Sequence, residues 1–210
     1  IPLDPQLTAQ QNAQAYYKKY RKLKSSAEHN TALVAENEKL LEYLLTIKDN
    51  LRYCTEEDDL AEVRRELIAL GLIREKQNGK KPAPEKPVKP LHYQVGGFDI
   101  YVGKNNVQNN QVTFKLAKSG DLWLHTQKIH SSHVVILAAD KQIPDSVIQT
   151  AAEICAYYSQ ANGGTKIAVD FTDRANVKKP PKAPLGFVIY PTYETILVDP
   201  DRHGEYLLNK

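Results

Sequence analysis

The stretch Gly97-Phe98-Asp99-Ile100-Tyr101-Val102-Gly103-Lys104 superficially suggests a phosphate loop, but five residues separate its glycines where a Walker loop has four. Asn105 also stands in place of the Ser or Thr that would hold magnesium, so a Walker site is excluded. The turn Gly103-Lys104-Asn105-Asn106 has two readings: backbone N–H groups forming an anion nest beside a lysine, or a plain Gly/Asn turn with a solvated side chain. His125, His130 and His133 lie close together next to Trp123, yet no Cys or Glu falls at zinc-ligand spacing, and no metal site is expected. On a strand Trp123 and His125 share one face, as a platform for a base or ribose or as core filling. Ser132 precedes His133 without a nucleophile elbow or oxyanion motif, so no catalytic residue is assigned. Lys178, Lys179 and Lys182 sit in NVKKPPKAPLG, 176–186, a proline-rich loop suited to phosphate contact or simply solvated. Near the start of the chain Tyr16, Tyr17 and Tyr20 are interleaved with Lys18, Lys19, Arg21, Lys22 and Lys24, a basic and aromatic strip fit for docking a partner.

Two kinds of element must position these groups. From Ala13 to Leu51 the residues Ala13, Tyr16, Tyr20, Leu23, Ala27, Asn30, Val34, Asn37, Leu41, Leu44, Lys48 and Leu51 follow alternating three- and four-residue steps, and most are apolar. That seam predicts one helix from about Thr8 to Tyr53, roughly 70 Å long, with Asn30, Asn37 and Lys48 fixing register or partner. A helix so long needs a partner. Residues 55–70, opening on Thr-Glu-Glu-Asp and closing at Gly71, read as a second helix that covers one end of it; another chain or an upstream part would meet the rest. Residues 79–90, GKKPAPEKPVKP, read as a semi-rigid spacer, giving a coiled-coil helical arm over 1–78, a Pro/Lys-rich linker and a compact domain over 91–210. In that domain Phe98–Val102, 121–127, 133–138, 165–171, 187–190 and 195–198 read as strands, 143–161 as a helix and 108–118 as a helix by preference. The fold class expected is α+β: a long helical arm followed by a compact domain around one mixed sheet.

The 210 residues are 41% hydrophobic and 25% charged, a globular balance, and no stretch approaches the roughly 20 apolar residues of a membrane span. Net charge is −1 over residues 1–79, +3 over 80–90 and +1 over 91–210, so no domain is a basic block that by itself announces nucleic-acid binding. Cys54 and Cys155 are far apart and read as reduced thiols. The chain has no Met, which predicts a fragment or a processed product.

FDIYVGKNNVQNN, followed by TFKLA, DLWLH and SHVVI, resembles the C-terminal domain of the NFACT family, which contains bacterial fibronectin-binding protein A-like proteins viewed as ribosome quality control factors. IPLDPQLTAQQNAQAYYKKYRKLK resembles the opening of that family's coiled-coil middle region, so the likeness spans nearly the whole chain. Ser131 departs from the family's usual Gly, and Asn110 from its usual acid. The resemblance implies a cytoplasmic factor that binds obstructed large ribosomal subunits and tRNA and supports template-free alanine tailing, with this part binding rather than catalysing and needing no cofactor. The RNA contacts would then fall on Lys104, Asn105, Asn106, Lys178, Lys179 and Lys182, with Trp123, His125 and His133 shaping the site. The competing expectation is a cell-surface adhesin for fibronectin or fibrinogen, with a role in virulence.

Overall fold

The computed structural model describes residues 1–74 and 88–209. Most of the expected Pro/Lys linker, 79–90, lies outside the described residues; only 88–90 is within them. The chain divides into two compact units, Ile1–Leu44 and Leu45–Lys210.

In the first unit Thr8 opens helix α1 (Ala9–Asn50) with a capping box. Its hydroxyl accepts the Gln11 N–H at 3.2 Å while Gln11 Oε1 accepts the Thr8 N–H at 2.8 Å. The preceding residues fold back: Asn12 Nδ2 donates to the Asp4, Leu7 and Thr8 carbonyls, and the Tyr16 hydroxyl bonds the Pro2 carbonyl. The helix runs unbroken through Asn30. The seam residues Tyr20, Leu23, Val34 and Leu41 are exposed.

In the second unit a six-stranded sheet, order β1-β2-β4-β3-β5-β6, is formed by β1 (Leu91–Val95), β2 (Phe98–Val102), β3 (Leu122–Thr126), β4 (Val134–Leu137), β5 (Ile167–Asp173) and β6 (Glu194–Val198). The α+β class holds, but every pairing is antiparallel where a mixed sheet was expected. β1 was not anticipated. It forms a hairpin with β2 through Gly96-Gly97, both at positive φ (58° and 80°), the two-residue turn whose twist matches paired strands. The expected strand 187–190 is reduced to a single bridge, Lys178 to Ile189, because the prolines at 180, 181 and 184 offer no N–H to extend a ladder.

One face of the sheet buries Tyr93, Ile100, Leu124, Val134, Ile136 and Val169 against α4 (Asp145–Tyr157), whose Val147, Ala151, Ile154 and Cys155 supply the matching face. The opposite face buries Trp123 and Val135 with Val112, Ala117 and Val177. The strand alternation of Leu122, Trp123 and Leu124 thus feeds two cores. Residues 108–118 are helical as expected: α3 (Asn106–Gln111) passes into one π-helical turn, Val112–Leu116, marked by the Ala117 N–H to Val112 carbonyl bond at 3.0 Å.

Helix α2 (Glu57–Ala69) does not lie along the arm as the expected partner of the long helix. It belongs to the second unit, where it packs on α3, and its buried face is Asp59, Glu62, Val63 and Glu66. A mostly acidic stripe is poor at covering a coiled-coil seam, and the segment 104–108 offers it amides and an ammonium instead. The two compact units meet at 44/45, within the continuous helix α1. Among the described residues no helix is long and apolar enough to cross a membrane.

Candidate nucleic-acid interface

The turn expected to present an anion nest is buried. Lys104 is 7% exposed and Asn105 and Asn106 are each 1% exposed. Lys104 Nζ lies 2.5 Å from Asp59 Oδ2, Asn105 Nδ2 donates to Glu62 Oε2 at 3.0 Å, and Asn106 Nδ2 donates to Glu66 Oε1 at 3.0 Å. Gln108 Nε2 adds bonds to Asp59 Oδ1 (3.1 Å) and Glu62 Oε2 (3.0 Å). Acids at 59, 62 and 66 share one side of a helix, and the residues of the turn meet them in order. Lys104, Asn105 and Asn106 are therefore corrected from RNA contacts to the buried polar joint that holds α2 to the sheet domain. A phosphate cannot reach them without displacing α2. Asp59, Glu62 and Glu66 recur at i, i+3 and i+7 on one side of α2, a spacing that the sequence reading did not single out.

Trp123, His125 and His133 do come together, as packed rings. Trp123 is fully buried; His125 is half-buried and stacks parallel to it at 5.6 Å, and His133 meets both rings edge-on at 5.1 and 5.5 Å. Thr113 Oγ1 accepts the Trp123 indole N–H at 3.1 Å and lies 2.8 Å from His133 Nδ1. Its one proton is free to donate to that nitrogen, which makes His133 a neutral acceptor there. Burial pushes His133 well below the usual histidine range, with His125 beside it acting the same way; burial pushes His125 down to about 4. These rings form a rigid neutral scaffold. His130 turns elsewhere, with Nδ1 2.9 Å from Asp49 Oδ2. Ser131 uses its hydroxyl, which accepts the Thr126 N–H at 3.1 Å.

The scaffold carries the basic loop. Lys178 and Ile189 exchange backbone hydrogen bonds of 2.9 and 2.8 Å, which closes 178–189 into one loop. Val188 and Tyr190 point inward, Tyr190 lying 4.8 Å from the Trp123 ring with its hydroxyl donating to Asp170 Oδ2 at 3.3 Å. Gly186, at φ 75°, packs so close to the joint that a Cβ would sit 2.8 Å from Asn106 Oδ1, and its backbone hydrogen-bonds His133. Gly103 is equally constrained: a Cβ there would lie 2.6 Å from the Asn109 backbone nitrogen. Lys178, Lys179 and Lys182 are all exposed. Lys179 Nζ reaches Asn110 Oδ1 only at 3.5 Å, a neutral partner that leaves its charge for an anion. From Arg174 to Tyr193 the chain holds four basic residues and no acid. This loop is a positive, open surface of the domain.

On the first unit Tyr16, Tyr17, Lys18, Lys19, Tyr20, Arg21, Lys22 and Lys24 are all exposed along α1. Their consecutive placement wraps the positive charge around the helix.

Residues 91–188, which include the whole basic loop up to Val188, match the NFACT protein RNA binding domain, and residues 1–86 match the NFACT N-terminal and middle domains. The chain belongs to the NFACT family. Among relatives of this NFACT chain, the Rqc2 homolog RqcH of Bacillus subtilis (strain 168) is 39% identical over 216 residues, covering 100% of this chain and 37% of that protein. The Rqc2 homolog RqcH of Streptococcus suis (strain 05ZYH33) is 39% identical over 201 residues, covering 95% of this chain and 36% of its own length. The NFACT chain thus spans little more than a third of these relatives. Among solved structures, the C-terminal of the fibronectin/fibrinogen-binding protein from Streptococcus suis superposes with a TM-score of 0.78 at 36% identity, covering 95% of this chain and 80% of that one.

Proposed function

We propose that this chain is the arm and RNA-binding portion of a ribosome quality control factor, which engages obstructed large ribosomal subunits and tRNA and thereby supports template-free alanine tailing. The observation that carries this reading is the acid-free loop with Lys178, Lys179 and Lys182 exposed, inside the segment that matches an RNA-binding domain. Phosphate contacts of this kind position a protein on RNA without reading its sequence. Its role is to bind, and no catalytic residue is assigned. The tyrosine and lysine strip from Tyr16 to Lys24 serves as a second docking surface for ribosomal RNA, and the site of action is the cytoplasm.

Co-sedimentation tests the proposal. The chain should pellet with large subunits carrying peptidyl-tRNA more than with vacant ones, and the difference should shrink when tRNA is removed with RNase. Equal pelleting with both would refute it. A second reading, adhesion to fibronectin or fibrinogen, has one observation in its favour: the binding named for the similar Streptococcus suis protein. Surface plasmon resonance showing tight, salt-resistant binding of immobilised fibronectin by residues 45–210 would favour that reading; binding that disappears at 1 M salt, where screening acts within about 3 Å, would reduce it to generic charge.

A further inference from the structure

The loop that carries the lysines also exposes large apolar side chains. Phe187 is 52% exposed, Ile189 49% and Tyr193 47%. Side chains alternate along extended backbone, so with Val188 and Tyr190 turned into the core, Phe187 and Ile189 project together on the outer side. Lys178, paired with Ile189 through two backbone hydrogen bonds, projects on that same side. The outcome is an aromatic ring and an aliphatic side chain beside a lysine, on a loop that also exposes Lys179 and Lys182 and has no acid between Arg174 and Tyr193.

We propose that this loop binds an unpaired RNA segment, a base stacked on Phe187 and its phosphates held by Lys178, with Lys179, Lys182 and Tyr193 exposed along the same segment for further contacts. The inference rests on the RNA-binding reading above and adds the class of RNA. Charge selects a polyanion. Exposed rings then discriminate between polyanions, since a duplex hides its bases in the stack and offers a phenyl ring only sugar and phosphate, whereas unpaired bases present π-faces. The anchoring of the loop through Gly186, Val188 and Tyr190 holds the platform rigid before RNA arrives, so little ordering is needed on binding.

The test is fluorescence anisotropy with the full chain and two probes: a labelled 12-nucleotide single-stranded RNA, and the same strand annealed to its complement. Wild type should prefer the single strand. Phe187→Ala should weaken single-strand binding by about tenfold without changing its salt dependence and leave duplex binding within about twofold, while Phe187→Tyr should retain most of the affinity. Lys178→Ala should lower the salt slope on the single strand by about 0.7. Phe187 is a surface residue, and circular dichroism of each variant verifies the fold. Wild-type single-strand affinity in Phe187→Ala, or equal losses on both probes, overturns the inference while RNA binding stands. Failure of the wild type to bind either probe overturns the inference and the RNA-binding reading together.

Discussion

Lys104 is the residue where local chemistry and tertiary context diverge most. Beside Gly103 and two asparagines it has the composition of an anion-binding turn, and the fold turns it inward to Asp59, whose side chain is fully buried. Removing one partner of a buried pair leaves the other charge uncompensated, so Lys104→Met should cost about 3–5 kcal/mol in urea denaturation, with part of it recovered in the double variant Lys104→Met/Asp59→Leu. No recovery would mean that the lysine acts through packing alone. The histidines give a second check at this scale. His125 and His133 are held neutral in the fold but protonate freely once unfolded, so the unfolded state binds more protons below pH 6.5. Stability should therefore be fully present above pH 6.5 and fall as pH drops from there toward about 4, by about 1.4 kcal/mol per pH unit for each histidine. His203 works in the opposite window. Burial disfavours its charge, but hydrogen bonds to Glu153 and Glu205 outweigh this and raise it, so its contribution is full below 6.5 and is lost as pH rises through the raised value. His133→Gln should remove one histidine's share of the acid-side slope; an unchanged slope would contradict the neutral assignment.

At the scale of elements, α1 and most strands were legible because their signals are local. A three-and-four spacing of apolar side chains makes one helical stripe, and Leu122-Trp123-Leu124 must send alternate side chains to opposite faces. The hairpin of β1 and β2 was not anticipated, although two alternating runs separated by Gly96-Gly97 carry the local signature of a two-residue turn. The role of α2 was not legible. Its acids look like a solvated face until the amides and ammonium of the segment 104–108, 40 or more residues on from their partners, are brought opposite them, and nothing local encodes that pairing. The element-scale prediction follows from this. Residues 45–210 should unfold in one cooperative transition, while residues 91–210, cut at the proline stretch, should melt at clearly lower temperature, since the fragment uncovers Lys104, Asn105, Asn106 and Gln108 together. Equal melting temperatures in calorimetry would show that α2 is dispensable to the domain.

At the scale of the whole molecule, the candidate site was half legible. The lysines of 178–182 were found because prolines hold them on a surface loop without acids; the exposure of Phe187 was not, because the run from Phe187 to Tyr190 resembles a buried strand until the prolines reduce it to one bridge. The polar joint and the neutral ring stack position the loop, which is the surface proposed to meet RNA. The decisive measurement is the salt dependence of RNA binding by the full chain, wild type against Lys178→Ala/Lys179→Ala and against Lys104→Met, at a temperature where all three are folded. The loop variant should lower the slope of log affinity against log salt by about 1.4, two phosphate contacts on a single strand, while Lys104→Met leaves the slope unchanged. A slope unaffected by the loop lysines, or one that falls when Lys104 is replaced, would contradict the account.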